Sequence, residues 1–191
     1  MIGDLSGEVN DLVRLLSGID IVISAINAPN QLAQLNLVDA AAKAGIKRIV
    51  PCGFITVCPP GGIMKLRDDK EVVHNRIFVH KLPYTIIDVG YWHQISFPVV
   101  PSGKIDYAAI LPAKSFFQTI YGDGNTPTML TDERDIGRYV ARIVKDERTL
   151  NKRVFTYSDN LSQNQIKDIM EKASGEKVEM EHVSAALFCL S

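Results

Sequence analysis

The sequence predicts an α/β protein: a parallel sheet with helices between its strands, and a smaller region of different character towards the C-terminus. Three observations carry that expectation. Short β-branched runs at 20–26, 47–51 and 84–89 alternate with longer stretches of helical spacing. Gly and Pro fall between these segments, as at Gly18, Gly45 and Pro83. The resulting βαβαβ rhythm favours parallel pairing through right-handed crossovers, the plan of a doubly wound, Rossmann-like sheet.

Taken in order, Ser6 is expected to cap a first helix with Leu12, Val13, Leu15 and Leu16 on its buried side and Gly18 at its end. The run 20–26 has the composition of a strand buried on both faces. Asn27-Ala28-Pro29-Asn30 turns the chain, and Asn30 is expected to cap a second helix reaching Lys43, stopped by Gly45. Strand 47–51 closes at Pro51, and a Gly/Pro-rich loop, 52–62, leads to helix 65–80 and strand 84–89. Segment 91–131 breaks the rhythm with Pro98, Pro101, Pro112, Pro127 and the turn-like Gly122-Asp123-Gly124-Asn125. The rhythm resumes at Thr131-Asp132, a cap for helix 133–145, followed by strand 153–157. Ser158-Asp159-Asn160 and Ser162 open a last helix to about Ala173, and the tail from Val183 is apolar. The expected division is a partial nucleotide-binding domain at 1–90, a substrate-region insertion at 91–131, a return to the sheet at 132–158 and an incomplete substrate region at 159–191.

Composition excludes several classes. With Lys+Arg 21 against Asp+Glu 22, no basic face for nucleic acid is suggested. No apolar run approaches the roughly 20 residues of a membrane helix, and no secretory signal follows Met1. Cys52, Cys58 and Cys189 are odd in number and lack C-x-x-C spacing, which fits a reducing, cytoplasmic setting. His74, His80, His93 and His182 form no metal-ligand cluster with them.

One part of the pattern is missing. No G-x-G-x-x-G run occurs, Gly61-Gly62 is the sole Gly-Gly pair, and no strand with a phosphate loop precedes 20–26. The sequence therefore reads as truncated at its N-terminal side. Strand 20–26 would then be an open sheet edge, prone to self-association or aggregation.

In an open parallel sheet, ligands bind outside the carboxyl ends of the strands. Ala25-Ile26-Asn27, Pro51-Cys52-Gly53-Phe54 and Gly90-Tyr91-Trp92-His93 leave those ends. Their small residues Ala25, Gly53 and Gly90, with Ala28, let a flat ligand approach the backbone; alternatively they simply suit tight turns. Lys70 lies on helix 65–80 with His74 one turn on. Beside a ligand it is an acid–base candidate, but its charged neighbours Lys65, Arg67, Asp68, Asp69 and Glu71 favour a residue of a solvated face. Cys52 is either a nucleophile without an identifiable base or an inert buried thiol. Trp92 and His93 are pocket-wall candidates, and Asp132, Arg134 and Asp135 read as helix-cap residues.

Several short segments occur in one order: Gly3-Asp4-Leu5, Asp20-Ile21-Val22-Ile23-Ser24, Gln31 with Gln34, Ala44-Gly45-Ile46-Lys47-Arg48, Pro83-Tyr84-Thr85 and Asp135-Ile136-Gly137. Together they resemble the isoflavone reductase-like and NmrA-like family of atypical short-chain dehydrogenase/reductases. The resemblance covers nearly the whole chain and begins just after that fold's third strand. It implies a Rossmann domain binding NADPH, a smaller substrate domain, and hydride transfer to a bound aromatic or other small organic substrate. It also implies that Lys70, thirteen positions before Pro83, matches the family's catalytic lysine and helps hold the cofactor. Cofactor contacts are implied for Ala25, Ile26, Asn27, Pro51, Cys52, Gly53, Phe54, Lys70, Gly90 and Trp92. The family's Pro-Ser-Glu-Phe-Gly pattern stands here as Pro51-Cys52-Gly53-Phe54-Ile55, without its carboxylate, and Gly90 and Trp92 replace the usual asparagine and phenylalanine. Some relatives sense a dinucleotide without catalysis, so a dinucleotide-sensing regulator is the alternative reading.

Overall fold

A computed structural model describes residues 2–104 and 118–184. The expected apolar tail lies mostly beyond the described residues, as does Pro112. The chain forms two compact units, Met1–Asp88 with Arg138–Phe155, and Val89–Gly137 with Thr156–Ser191.

The first unit is the α/β layer that the sequence predicts. β1 (Ile21–Ile23) pairs in parallel with β2 (Arg48–Val50). A parallel bridge between Ile49 and Tyr84 joins β2 to the start of β3 (Thr85–Asp88), which pairs in parallel with β7 (Lys152–Phe155). α1 (Val9–Leu16), α2 (Gln34–Ala44) and α3 (Lys65–Val79) connect and cover these strands. Their shared core is Val22, Leu37, Val38, Ala41, Ile46, Ile49, Val73, Ile77 and Leu82. Complete burial of a side chain such as Ile49 or Ile77 contributes roughly 1.5–3 kcal/mol.

Local chemistry differs from expectation at several ends. Ser6 caps nothing: its N–H and hydroxyl both turn to Asp4, and α1 starts after Glu8. Asn30 is not a cap either. Pro29 starts a 3₁₀ helix, Ala28–Ala33, Asn30 sits at its kink, and α2 begins only at Gln34. Gly45 does stop α2, in the left-handed conformation at φ 71°. β1 is not buried on both faces: Val22 is buried, while Ile21 and Ile23 are 38% and 47% exposed. No described element covers that second face.

β2 carries a buried arginine. The Arg48 guanidinium donates to the Val144 carbonyl at 2.9 Å, just past α4 (Glu133–Ile143), and to Thr149 Oγ1 at 3.3 Å. It thereby supplies a partner to a helix end that would otherwise lack one.

In the second unit, β6 (Thr128–Thr131) lies between β4 (Tyr91–Trp92), parallel to it, and β8 (Asp159–Leu161), antiparallel. β5 (Thr119–Tyr121) pairs in parallel with β9 (Glu181–Val183). Residues 159–161 are thus strand, not helix entry. Ser162 alone caps α5 (Gln163–Ser174), exchanging hydrogen bonds with Gln165 in a capping box. No helix among the described residues is long and apolar enough to cross a membrane.

Candidate active site

β1, β2 and β3 of the first unit end at Ile23, Val50 and Asp88, and the turns after β1 and β2 are tied together by side-chain amides. Gln31 Nε2 donates to the Asn27 carbonyl at 3.2 Å, and Cys52 Sγ donates to the Ile26 carbonyl at 3.2 Å. Gln34 accepts from the Cys52 N–H at 2.8 Å and donates back to Gln31. Both glutamines are buried. The sequence-level motif Gln31/Gln34 therefore has a physical role: it locks the turn after β1 to the turn after β2.

Ala25 and Asn27 are exposed and Ile26 half-buried, whereas Pro51, Cys52, Gly53 and Phe54 are all buried. Gly53 lies against β3. A Cβ there would overlap the Ile87 carbonyl oxygen, which also accepts the Phe54 N–H at 2.8 Å. Phe54 itself holds a left-handed backbone, φ 50°, a costly conformation for an aromatic residue and one that clusters at functional sites. Gly90 and Trp92 belong to the second unit. Gly90 has φ 75°, and a Cβ on it would overlap the Met129 carbonyl.

Lys70 is buried, not solvated. On α3, Arg67, Lys70, His74 and Ile77 turn inward while Lys65 and Asp69 form an ion pair at the surface. The Lys70 ammonium donates to the Gly53 carbonyl. Burial lowers its pKa from the ordinary lysine value; Cys52 and the Asp88 carboxylate oppose that effect and Arg67 adds to it. Asp88, at the end of β3, is buried as well, and burial raises its carboxyl pKa against the pull of Arg153, Arg67 and Lys70.

The same helix face carries further charges. Arg67 Nη1 stands 2.6 Å from Glu71 Oε2, a charge contact without good hydrogen-bond direction, and Arg67 Nε donates to the Cys58 carbonyl at 3.1 Å. His74 Nδ1 faces both Glu71 Oε2 and Arg153 Nη2 at 3.4 Å. Burial, then Arg153 and Arg67, lower its pKa to about 4 despite Glu71. A neutral imidazole that accepts from Arg153 on Nδ1 carries its proton on Nε2. That Nε2 is buried without a hydrogen-bond partner among the described residues.

An open cleft of about 500 Å³ lies between Ala28–Ala33 and the α3 residues Lys65, Leu66 and Asp69, and neither Lys70 nor Asp88 lines it. It begins at the residue after Asn27. In the second unit, His93 Nε2 lies 3.2 Å from Asp159 Oδ2 and its ring stacks on Phe97. Asp132 accepts from Arg134 and Gln94, which fits the expected role as a helix-end residue.

A model of the NmrA-like family matches residues 2–189. The chain belongs to the NmrA-like family. Among curated relatives, this NmrA-like chain is 43% identical over 181 residues to asnovolin J 5′,6′-dehydrogenase of Aspergillus novofumigatus, covering 95% of this chain and 55% of that protein. It is 34% identical over 203 residues to pinoresinol reductase 1 of Arabidopsis thaliana, covering 96% and 62% respectively. The solved binary complex of leucoanthocyanidin reductase with NADPH, from Vitis vinifera, superimposes with a TM-score of 0.79 at 27% identity, over 96% of this chain and 60% of that one. This NmrA-like chain thus spans somewhat more than half the length of the relatives that it matches.

Sequence reasoning found Lys70 and the three strand-end turns. It missed Asp88 and Arg67 as neighbours of Lys70, and Arg153 as a neighbour of Asp88 and His74. For Arg67 a signal existed: with Lys70, His74 and Ile77 it follows the three-and-four spacing of a buried helix face. For Asp88 and Arg153 there was none, because only the β3–β7 pairing brings those strands together.

Proposed function

We propose that the chain forms the nicotinamide side of a cytosolic NADPH-dependent reductase of an aromatic or other small organic substrate, with Lys70 as its acid–base residue. One observation carries the reading: a lysine ammonium buried at the carboxyl ends of parallel strands, fixed on the Gly53 carbonyl, with its hold on the proton weakened by burial. The NADPH complex of the grape reductase and the names of the curated relatives support the cofactor and the reaction class.

The residues present fit the nicotinamide end of that cofactor. Ala25 and Asn27 offer exposed backbone at the end of β1, and the adjoining cleft opens at Ala28. Ile26, Pro51, Cys52, Gly53 and Phe54 support this surface from beneath, held by Gln31 and Gln34. NADPH, when bound, supplies the hydride. Lys70 would help hold the cofactor and would give or take the accompanying proton through Nζ.

The test is titration of the protein with NADPH, followed by a panel of aromatic ethers and enones. Lys70→Ala is expected to cost at least about a hundredfold in turnover while leaving the circular dichroism unchanged. Undiminished turnover in that variant removes Lys70 from its role. NADPH binding without consumption across the panel favours the dinucleotide-sensing regulator.

A further inference from the structure

Asp88 and Lys70 are both buried, and they meet at one peptide. The Lys70 ammonium donates to the Gly53 carbonyl, while Asp88 Oδ1 lies 3.7 Å from the point that a Cβ on Gly53 would occupy. Gly53 cannot drift, because Ile87 fills the space before its α-carbon and accepts from Phe54. Lys70 gives its hydrogen bond to Gly53, so Asp88 acts on it as a charge held nearby.

The other groups facing this pair have contacts of their own, although Arg153 and Arg67 act on Asp88 more strongly than Lys70 does. Arg67, from α3, is taken up by Glu71 at 2.6 Å. Arg153, from β7, leans on His74 Nδ1 at 3.4 Å. Cys52, from the end of β2, faces Lys70 but hydrogen-bonds Ile26. Asp88 is thus left as the carboxylate of the Gly53 turn, and Lys70 as the cation of the same turn.

We propose that Asp88 is the positioning residue of Lys70: its carboxylate holds the ammonium on the Gly53 turn and sets how readily Lys70 releases its proton. This deepens the reductase reading and rests on it. The physical reason is mutual. Burial alone drives each group towards its neutral form, and the opposite charge across the Gly53 turn favours the ionised form of the other. With Asp88 neutralised, burial and the Arg67 charge act on Lys70 with less opposition.

The test is Asp88→Asn, which keeps the shape and removes the charge. Carbon-13 NMR of labelled lysine, with the Lys70 signal assigned by its loss in Lys70→Met, follows the titration of Lys70 directly. The Lys70 midpoint is expected to fall by about one pH unit or more in Asp88→Asn. An unchanged midpoint in the folded variant overturns the proposal, since a merely structural residue would leave it in place. If Asp88→Asn does not fold, the reciprocal measurement decides. The Asp88 carboxyl midpoint in Lys70→Met should rise, and its failure to move also overturns the proposal. Neither readout needs cofactor, so a protein without reductase activity can still uphold this pairing, and an active one can refute it.

Discussion

Gly53 is pressed against Ile87: the carbonyl oxygen of Ile87 occupies the place of a Cβ on Gly53 and accepts the N–H of Phe54 at 2.8 Å. Gly53→Ala must therefore push the 52–54 turn off β3, because the obstacle is backbone and not a flexible side-chain tip. A loss of about 1–3 kcal/mol is expected in urea denaturation. Lys70 should lose its hydrogen bond to residue 53 with it. Equal stability of the alanine variant would show that the turn can shift freely.

His74 makes stability fall in acid. Its pKa is lowered from 6.5 to about 4 in the fold, so the unfolded chain takes up a proton that the folded chain refuses. The contribution is complete above about pH 6.5 and is lost as pH falls towards 4. Over that window about 2–3 kcal/mol is at stake. Glu71, held below the usual glutamate value mainly by Arg67, adds to the acid loss, while Asp88, raised by burial, opposes it. His74→Leu should flatten the denaturation midpoint between pH 6.5 and 4; an undiminished slope would assign the acid sensitivity elsewhere.

The uncovered face of β1 predicts association. Ile19, Ile21 and Ile23 are 43%, 38% and 47% exposed, and β2 is the only partner of β1 among the described residues. Such an edge pairs with other chains. Light scattering should show oligomers that the double variant Ile21→Lys, Ile23→Lys lacks. A monodisperse monomer before any substitution would contradict this.

The capping box of α5 offers a local test. Ser162 accepts from the Gln165 N–H at 3.2 Å, and Gln165 accepts from the Ser162 N–H at 2.8 Å. Ser162→Ala should cost about 1 kcal/mol. Removing Gln165 in the same background should then cost less than it does alone, because the two bonds form one motif.

Much of the fold was legible. The runs around Val22, Ile49 and Ile86 are strands, the first of them buried only at Val22, and Gly45 stops its helix because only a left-handed residue fits there. The caps were not. Ser6 and Asn30 have the right chemistry, but Asp4 captures the first and Pro29 sets a 3₁₀ turn around the second. β8 and β9 are polar and short, and are strands only because β6 and β5 offer them edges. At the candidate site, the charged neighbours of Lys70 in sequence mask the one sign of its burial, the three-and-four spacing that it shares with Arg67, His74 and Ile77. Its environment is set by Gly53, Cys52 and Asp88, from separate strands and turns.

The interrupted course of the first unit bears on how it folds. β3 waits for β7: Tyr84 and Thr85 find their partners in Asn151 and Thr149, 67 and 64 residues later. Closing so long a loop adds only a logarithmic entropic cost, yet contacts of such separation slow folding. During synthesis the whole stretch from Val89 to Gly137 emerges before β7 does. Arg153 therefore arrives late, and the ionic surroundings of Asp88 and His74 are completed by the last strand of the unit to leave the ribosome.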